Sequence, residues 1–174
     1  MSPRRSALWL ALATACAGVQ RGGHGVYAFP DAFVATQAVT VTLDSSTQDL
    51  VASLSRCGRD LEVTLFDPVF AFPVLTASVR AGVASEVRHA DSVRPGDGER
   101  LVRLLVAVYE MQYSDAAGVG DASTPTLRLR LEGLPGEGAC RFPGAIEVSP
   151  RFGSGPRVRV RTLDVACGAD SAGR

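Results

Sequence analysis

The sequence predicts a single α+β domain with a mostly antiparallel sheet and two helices. Three observations predict this fold class. The chain has 174 residues, and subtracting a leader and a tail leaves about enough for one domain. Its first half alternates strand-like and helix-like patterns in the order β-α-β-α, and its second half carries four strand-like segments in succession. We place the globular domain at residues 29–168, followed by a disordered tail at 169–174.

The first strand and the first helix are predicted from two different periodicities. Val39–Leu43 alternates apolar and polar side chains and is rich in β-branched residues, which is typical of a half-buried strand. After a serine that can cap a helix, apolar residues recur at helical spacing, at Leu50, Val51, Leu54 and Cys57. Gly58 is placed to end this helix, and Leu61–Phe66 is the next predicted strand.

Residues 74–88 fit both a helix and a strand. Val79, Val83 and Val87 fall every fourth residue, which suits one face of a helix, yet the same valines also satisfy a period of two. Pro73 suits a first helical turn and favours the helix, although Gly82 in the middle costs about 1 kcal/mol relative to Ala. If the segment is a strand instead, the fold is an all-β sandwich.

The second half of the chain predicts strands. A turn signal at 94–98 is followed by Leu101–Tyr113, which is apolar on both faces when taken as a strand and is therefore expected in the middle of the sheet. Three shorter strands are predicted at 127–132, 146–148 and 158–161.

The N-terminus has the order of an export signal. Arg4 and Arg5 precede an apolar stretch at Ala7–Ala13, and small residues follow it, so residues 1–15 are predicted to be a signal peptide. This apolar stretch is shorter than the roughly 20 residues needed to span a bilayer. Residues 16–28 are rich in glycine after Cys16 and are predicted to be a flexible tether.

The segment Leu12–Cys16, with the sequence LATAC, resembles the bacterial lipobox. The resemblance implies that Cys16 is diacylated through its sulfur and holds the protein to a membrane. Ala17 in place of Asp after the cysteine implies sorting to the outer membrane, facing the periplasm. The alternative is ordinary signal peptidase cleavage after Ala15 or Ala17, which would give a soluble secreted or periplasmic protein.

Three further cysteines predict one disulfide in an oxidising compartment. The midpoint between Cys140 and Cys167 falls in Phe152–Gly155, the predicted tip of a hairpin. Residues equidistant from a hairpin tip lie opposite each other, so we expect these two to be bridged. Cys57 is then expected to be an unpaired, buried helix residue.

Charge and motifs exclude several function classes. Eighteen basic residues balance eighteen acidic ones, so the chain has no net field that would attract nucleic acid. His24 and His89 are the two histidines, no catalytic motif is present, and no pair of cysteines has metal-binding spacing. We therefore expect no enzymatic activity, no cofactor and no metal.

Five arginines are predicted to share an exposed face. Period-two geometry places each set on one side of its strand, and the residues are Arg128, Arg130, Arg157, Arg159 and Arg161. Guanidinium groups suit anionic partners. The alternative is an ordinary solvent face with nearby carboxylates as counter-ions, which also discourages aggregation.

These features together predict an envelope lipoprotein that acts as a non-catalytic binding or accessory module. Its expected partners are the membrane, through the lipid anchor, and an envelope protein complex or an anionic glycan. The alternative is a secreted or periplasmic small-ligand carrier, or a hydrolase with an atypical carboxylate site.

Overall fold

The computed structural model describes residues 25–43, 46–90, 95–116, 118–135, 140–153, 155 and 157–168. Over these residues the chain forms eleven strands in one antiparallel sheet, and one α-helix. The strands are β1 (Val26–Tyr27), β2 (Ala32–Leu43), β3 (Ser46–Cys57), β4 (Asp60–Phe66), β5 (Pro73–Arg80), β6 (Val83–His89), β7 (Tyr113–Ala116), β8 (Val119–Ser123), β9 (Leu127–Glu132), β10 (Ala145–Pro150) and β11 (Arg157–Cys167). The helix α1 (Pro95–Glu110) lies between β6 and β7 in the chain.

The strand order is β1-β7-β8-β9-β10-β11-β2-β3-β4-β5-β6. Because all neighbours are antiparallel, the turns that follow β4, β8 and β10 lie at the same end of the sheet. We call this the upper end. The turns that follow β3 and β5 lie at the lower end.

One face of the sheet is apolar and the other is polar. Along β9, Leu129 and Leu131 are buried while Arg128 and Arg130 are exposed, as the period of two requires. We call the apolar side the inner face. The helix α1 packs on it against β5 and β6. Because one helix of 16 residues is too small to cover eleven strands, the sheet must curl over itself to bury the apolar residues of β9–β11.

The predicted α+β fold with two helices is wrong. The described residues form a single large antiparallel sheet with one helix, which matches the all-β alternative, with one curled sheet in place of a sandwich. The first predicted helix is strand β3, in which Leu50, Ala52 and Leu54 are buried on alternate residues. Pairing with β2 on one side and β4 on the other makes the period of two prevail over the helical spacing.

The second predicted helix, at 74–88, is a β-hairpin. Residues 73–80 form β5 and residues 83–89 form β6, which pair with each other. Ala81 and Gly82 connect them and both have positive φ, a conformation that glycine adopts without steric cost. Gly82, which weakened the helix prediction, thus belongs to the turn.

The strand predicted at Leu101–Tyr113 is mostly helix α1. Val102, Leu105 and Tyr109 are buried and fall at helical spacing, and Pro95 begins the helix, a position where its missing N–H costs nothing. The alternation of apolar residues misled the prediction, because a helix that is apolar over a wide face also satisfies a period of two.

Several other predictions are confirmed. Val39–Leu43 lies in β2, Leu61–Phe66 in β4, and the strands predicted at 127–132, 146–148 and 158–161 lie in β9, β10 and β11. Val26 and Tyr27, which the sequence analysis assigned to the tether, form β1 and pair with β7.

Candidate ligand-binding surfaces

An aromatic cluster surrounds the C-terminal end of α1. Its members come from β1, β2, α1, β7 and two connecting segments, and they are Tyr27, Phe29, Phe33, Tyr109, Tyr113 and Phe142. The ring centroids of Phe29 and Tyr109 are 4.8 Å apart, and those of Phe33 and Phe142 are 4.9 Å apart, both edge to face. Such pairs stabilise beyond the area they bury, so this end of the inner face is closed.

The three tyrosine hydroxyls of the cluster are hydrogen-bonded inside the protein. Tyr27 donates to the backbone oxygen of Arg141 (3.0 Å), and Tyr113 donates to that of Val108 (2.6 Å). Burial raises the pKa of all three tyrosines above its ordinary value, and at Tyr27 the nearby Arg141 charge partly offsets the rise. These hydroxyls are therefore structural and remain protonated at physiological pH.

A buried glutamine ties the helix to the middle of the sheet. The Tyr109 hydroxyl donates to Oε1 of Gln37 (2.6 Å), and Nε2 of Gln37 donates to Oγ1 of Thr162 (3.4 Å). Sequence analysis missed Gln37, although it interrupts the apolar inner residues of β2 at a position where the period of two requires burial.

Arg56 fixes the C-terminal end of α1. Its guanidinium donates to the backbone oxygen of Tyr109 (2.7 Å) and to Oε1 of Glu110 (3.1 Å), and its Nε donates to the oxygen of Gly58 (3.0 Å). The side chain is 8% exposed. A cation at a helix C-terminus is favoured by the helix dipole, so this contact holds the helix end against β3. Sequence analysis missed Arg56 because it took the segment for a helix.

Several apolar side chains of the inner face are only partly buried, and some of them lie near the upper end. Leu101 of α1, Val41 of β2, Val87 of β6 and Leu127 of β9 are only partly buried against the core. The last three lie within three residues of the upper ends of their strands. Val165, toward the lower end of β11, is partly buried as well, and the aromatic cluster lies beside the C-terminal end of α1.

The five predicted arginines lie on the outer face of β9 and β11, two strands that flank β10, while Val158 and Val160 of β11 are buried. Glu147 of β10 lies opposite Arg130 on one side and opposite Arg159 on the other. Arg130 also forms an ion pair with Glu132 (3.1 Å). The described residues thus place the arginines together but also place carboxylates among some of them. Anion binding by this face stays a prediction.

The predicted disulfide is present. Cys140 and Cys167 are bridged, with their Cα atoms 5.5 Å apart. The expectation for Cys57 is wrong, since it lies at the exposed end of β3 and is also disulfide-bonded. Cys16, the predicted lipidation site, lies outside the described residues.

The described residues hold no group of three metal-ligating side chains, and none of their helices is long and apolar enough to cross a membrane. His89 is exposed at the end of β6, where its Nδ1 lies 3.3 Å from the oxygen of Ala90. His24 lies outside the described residues.

The fold resembles that of a known protein, although the sequence does not. No family model matches this chain, and no curated protein matches it. Among solved structures, the LolA superfamily protein NE2245 from Nitrosomonas europaea matches with a TM-score of 0.50, over 80% of this chain and 87% of that chain. Because the identity is 11%, the likeness is one of fold: the chain is similar to a LolA superfamily protein in the path of its backbone.

Proposed function

We propose that this protein is a non-catalytic carrier of the bacterial cell envelope, which binds the acyl chain of a lipid or lipoprotein between α1 and the inner face of the sheet. The proposal develops the carrier alternative of the sequence analysis in place of the accessory module. The observation that carries it is the difference between the two ends of α1.

The C-terminal end of α1 is held by polar contacts and aromatic packing. Arg56 and Gln37 both hydrogen-bond to it, and breaking such buried contacts leaves polar groups without partners. No described residue makes a comparable side-chain hydrogen bond from the sheet to the first turns of α1. We infer that the helix moves away from the sheet at its N-terminal end, where the buried contact of Val102 is apolar, while its C-terminal end stays in place.

The side chains at the movable end suit an acyl chain. Leu101, Val41, Val87 and Leu127 are aliphatic and only partly buried. Each methylene group that leaves water contributes about 0.8 kcal/mol, so an acyl chain of ordinary length can offset the separation of α1 from these residues. The fold shared with a LolA superfamily protein, a fold associated with lipoprotein carriage, supports the same class of ligand.

An envelope location is part of the proposal. The Cys140–Cys167 bridge fits an oxidising compartment, as does the predicted signal peptide. Acylation of Cys16 remains a separate proposal, and it sets a condition on Cys57, which is disulfide-bonded. The sulfur of Cys16 cannot both carry a lipid and form a disulfide, so acylation of Cys16 requires that Cys57 be bridged to a different sulfur.

The test measures binding of a fluorescent acyl probe, dansyl-labelled undecanoic acid, to the purified exported protein. Leu127→Trp and Val41→Trp place bulk at the upper end of the inner face and should weaken probe binding at least about tenfold, through loss of apolar contact area. Leu163→Trp is the matched control, because Leu163 is 51% exposed on β11, away from the inner face.

We expect the control to bind the probe as the unmodified protein does. Absence of probe binding by the unmodified protein, or equal binding by all three variants, would contradict the carrier proposal. Far-ultraviolet circular dichroism of each variant shows whether the fold is retained.

A further inference from the structure

The turn between β4 and β5 exposes large apolar side chains. Val69 is 78% exposed, Phe70 is 75% exposed and Phe72 is 44% exposed. The rings of Phe70 and Phe72 are nearly parallel, with centroids 6.2 Å apart. Apolar side chains grouped in this way on a surface mark a site of interaction.

The backbone N–H groups of this turn are hydrogen-bonded within the turn. One carboxylate oxygen of Asp67 accepts from the backbone N–H groups of Val69 (2.8 Å) and Phe70 (2.9 Å). The N–H of Ala71 donates to the oxygen of Asp67, the N–H of Asp67 donates to the oxygen of Phe72, and Pro68 has no N–H. Every N–H from residue 67 to residue 71 is therefore bonded or absent. At a lipid interface, where hydrogen-bond partners are scarce, a turn whose N–H groups are already bonded is less costly to bury than one with free N–H groups.

A second apolar side chain projects from the same end of the sheet. Phe152, in the turn after β10, is 76% exposed, and the guanidinium of Arg151 lies 5.4 Å from its ring centroid. Four strand spacings separate this turn from the first one, roughly 19 Å along the sheet. The upper end thus carries two apolar tips.

The arginines of the outer face differ in how far carboxylates compensate them. One row across the strands alternates charge and runs through Asp121, Arg130, Glu147 and Arg159. The next row toward the upper end has only hydroxyl residues beside its arginines and runs through Ser123, Arg128, Ser149, Arg157 and Thr42. Neither Arg128 nor Arg157 forms an ion pair with any described residue. Farther from the upper end, Arg161 also has no carboxylate directly beside it, since its neighbours are Ala145 and Ala38. Arg128 and Arg157 are thus uncompensated positive charges close to the upper end.

We propose that the upper end of the sheet docks on an anionic lipid surface. Phe70, Phe72 and Phe152 enter the interface, and the guanidinium groups of Arg128, Arg151 and Arg157 contact lipid phosphates. A lipid surface fits better than a protein partner, because the turn offers no free backbone N–H between residues 67 and 71 for pairing. The proposal does not depend on the ligand of the inner face.

The test is co-flotation of the purified exported protein with vesicles of phosphatidylcholine alone, or of phosphatidylcholine with phosphatidylglycerol. We expect binding to the anionic vesicles, weakened by salt. Phe70→Ser with Phe72→Ser should reduce it about tenfold or more. Arg128→Ser, Arg151→Ser and Arg157→Ser together should reduce it about fivefold for each arginine removed, at low salt.

Two control variants make the same chemical change elsewhere. Val83→Ser with Leu163→Ser removes exposed apolar side chains outside the upper end. Arg103→Ser, Arg159→Ser and Arg161→Ser together remove three exposed charges outside the proposed contact. We expect both to bind anionic vesicles as the unmodified protein does.

Three outcomes would overturn the proposal: no binding of the unmodified protein to anionic vesicles, equal losses in the controls, or light scattering that shows a dimer abolished by the phenylalanine changes. The last would assign the turn to a second copy of the chain. Binding of the acyl probe is measured on the same variants and should be unchanged, so failure of this proposal is distinguishable from failure of the carrier proposal.

Discussion

Raising the pH above 10 perturbs the three tyrosines of this protein selectively. All eighteen basic residues are arginine, and arginine keeps its proton beyond pH 12. With lysine absent from the sequence, Tyr27, Tyr109 and Tyr113 are the side chains that begin to titrate near pH 10. All three are buried, and burial raises the pKa of each in the folded protein.

The size of the effect follows from proton linkage. A tyrosine in the unfolded chain has a pKa of about 10, while the pKa of the same tyrosine in the folded protein is higher. Its contribution to the free energy of unfolding is therefore complete below pH 10 and is lost as the pH rises toward the pKa of the folded protein. At pH 11 each tyrosine removes about 1.4 kcal/mol from the free energy of unfolding, and the three remove about 4 kcal/mol. A domain of this size has about 5–15 kcal/mol in total, so unfolding by base is expected above pH 11, and it should be steep because the three protons are released together.

The assay follows the ultraviolet absorbance of tyrosinate and the far-ultraviolet circular dichroism in one titration with base. We expect the two signals to change together, because the hydroxyls ionise only on unfolding. In urea denaturation, the free energy of unfolding should fall by about 3 kcal/mol between pH 10 and 11 in the unmodified protein, and by about 2 kcal/mol in Tyr113→Phe. Tyrosinate that forms near pH 10 while the circular dichroism is unchanged would refute the burial of these rings.

Three further predictions concern single contacts. Arg56→Met should lower the free energy of unfolding by about 2–4 kcal/mol, because it leaves buried acceptors without a donor, whereas the exposed Arg88→Met should change it by less than about 0.5 kcal/mol in the same urea titration. Joint replacement of Cys140 and Cys167 by Ser should lower it by about 3.5 kcal/mol, because the bridge closes a loop with a sequence separation of 27. Peptide mapping of the unmodified protein without reductant should recover these two cysteines joined. Cys16→Ser should abolish palmitate labelling in cells, and unchanged labelling would end the lipoprotein interpretation.

The strands that the sequence predicted correctly are those whose local pattern admits one interpretation. Val39–Leu43 alternates apolar and polar residues, and four of its five residues are β-branched, which favours a strand. Residues 46–57 satisfy both periods, and the choice between them is made by hydrogen bonds to β2 and β4. In α1 the valines raise the strand propensity of a segment that is in fact helical. The packing of this segment against β5 and β6, which the local sequence does not show, favours the helix over the predicted strand.

Some features of the candidate surfaces are specified by neighbouring residues in the sequence, and others depend on contacts between distant segments. Period-two geometry is local, so it places Arg157, Arg159 and Arg161 on one side of β11 without knowledge of the fold. Whether their charge is available depends on register, because Glu147 reaches Arg130 and Arg159 only through the pairing of β9, β10 and β11. The contact of Arg56 with the end of α1 spans 53 residues of sequence, and no pattern in the neighbourhood of Arg56 specifies it.

An exposed turn such as Pro68–Phe72 is different, since its apolar residues are visible in the sequence. What supports their assignment to a docking surface is that Phe70 and Phe72 stay exposed, as Phe152 does, while six other aromatic side chains of the described residues are buried in the cluster around the end of α1.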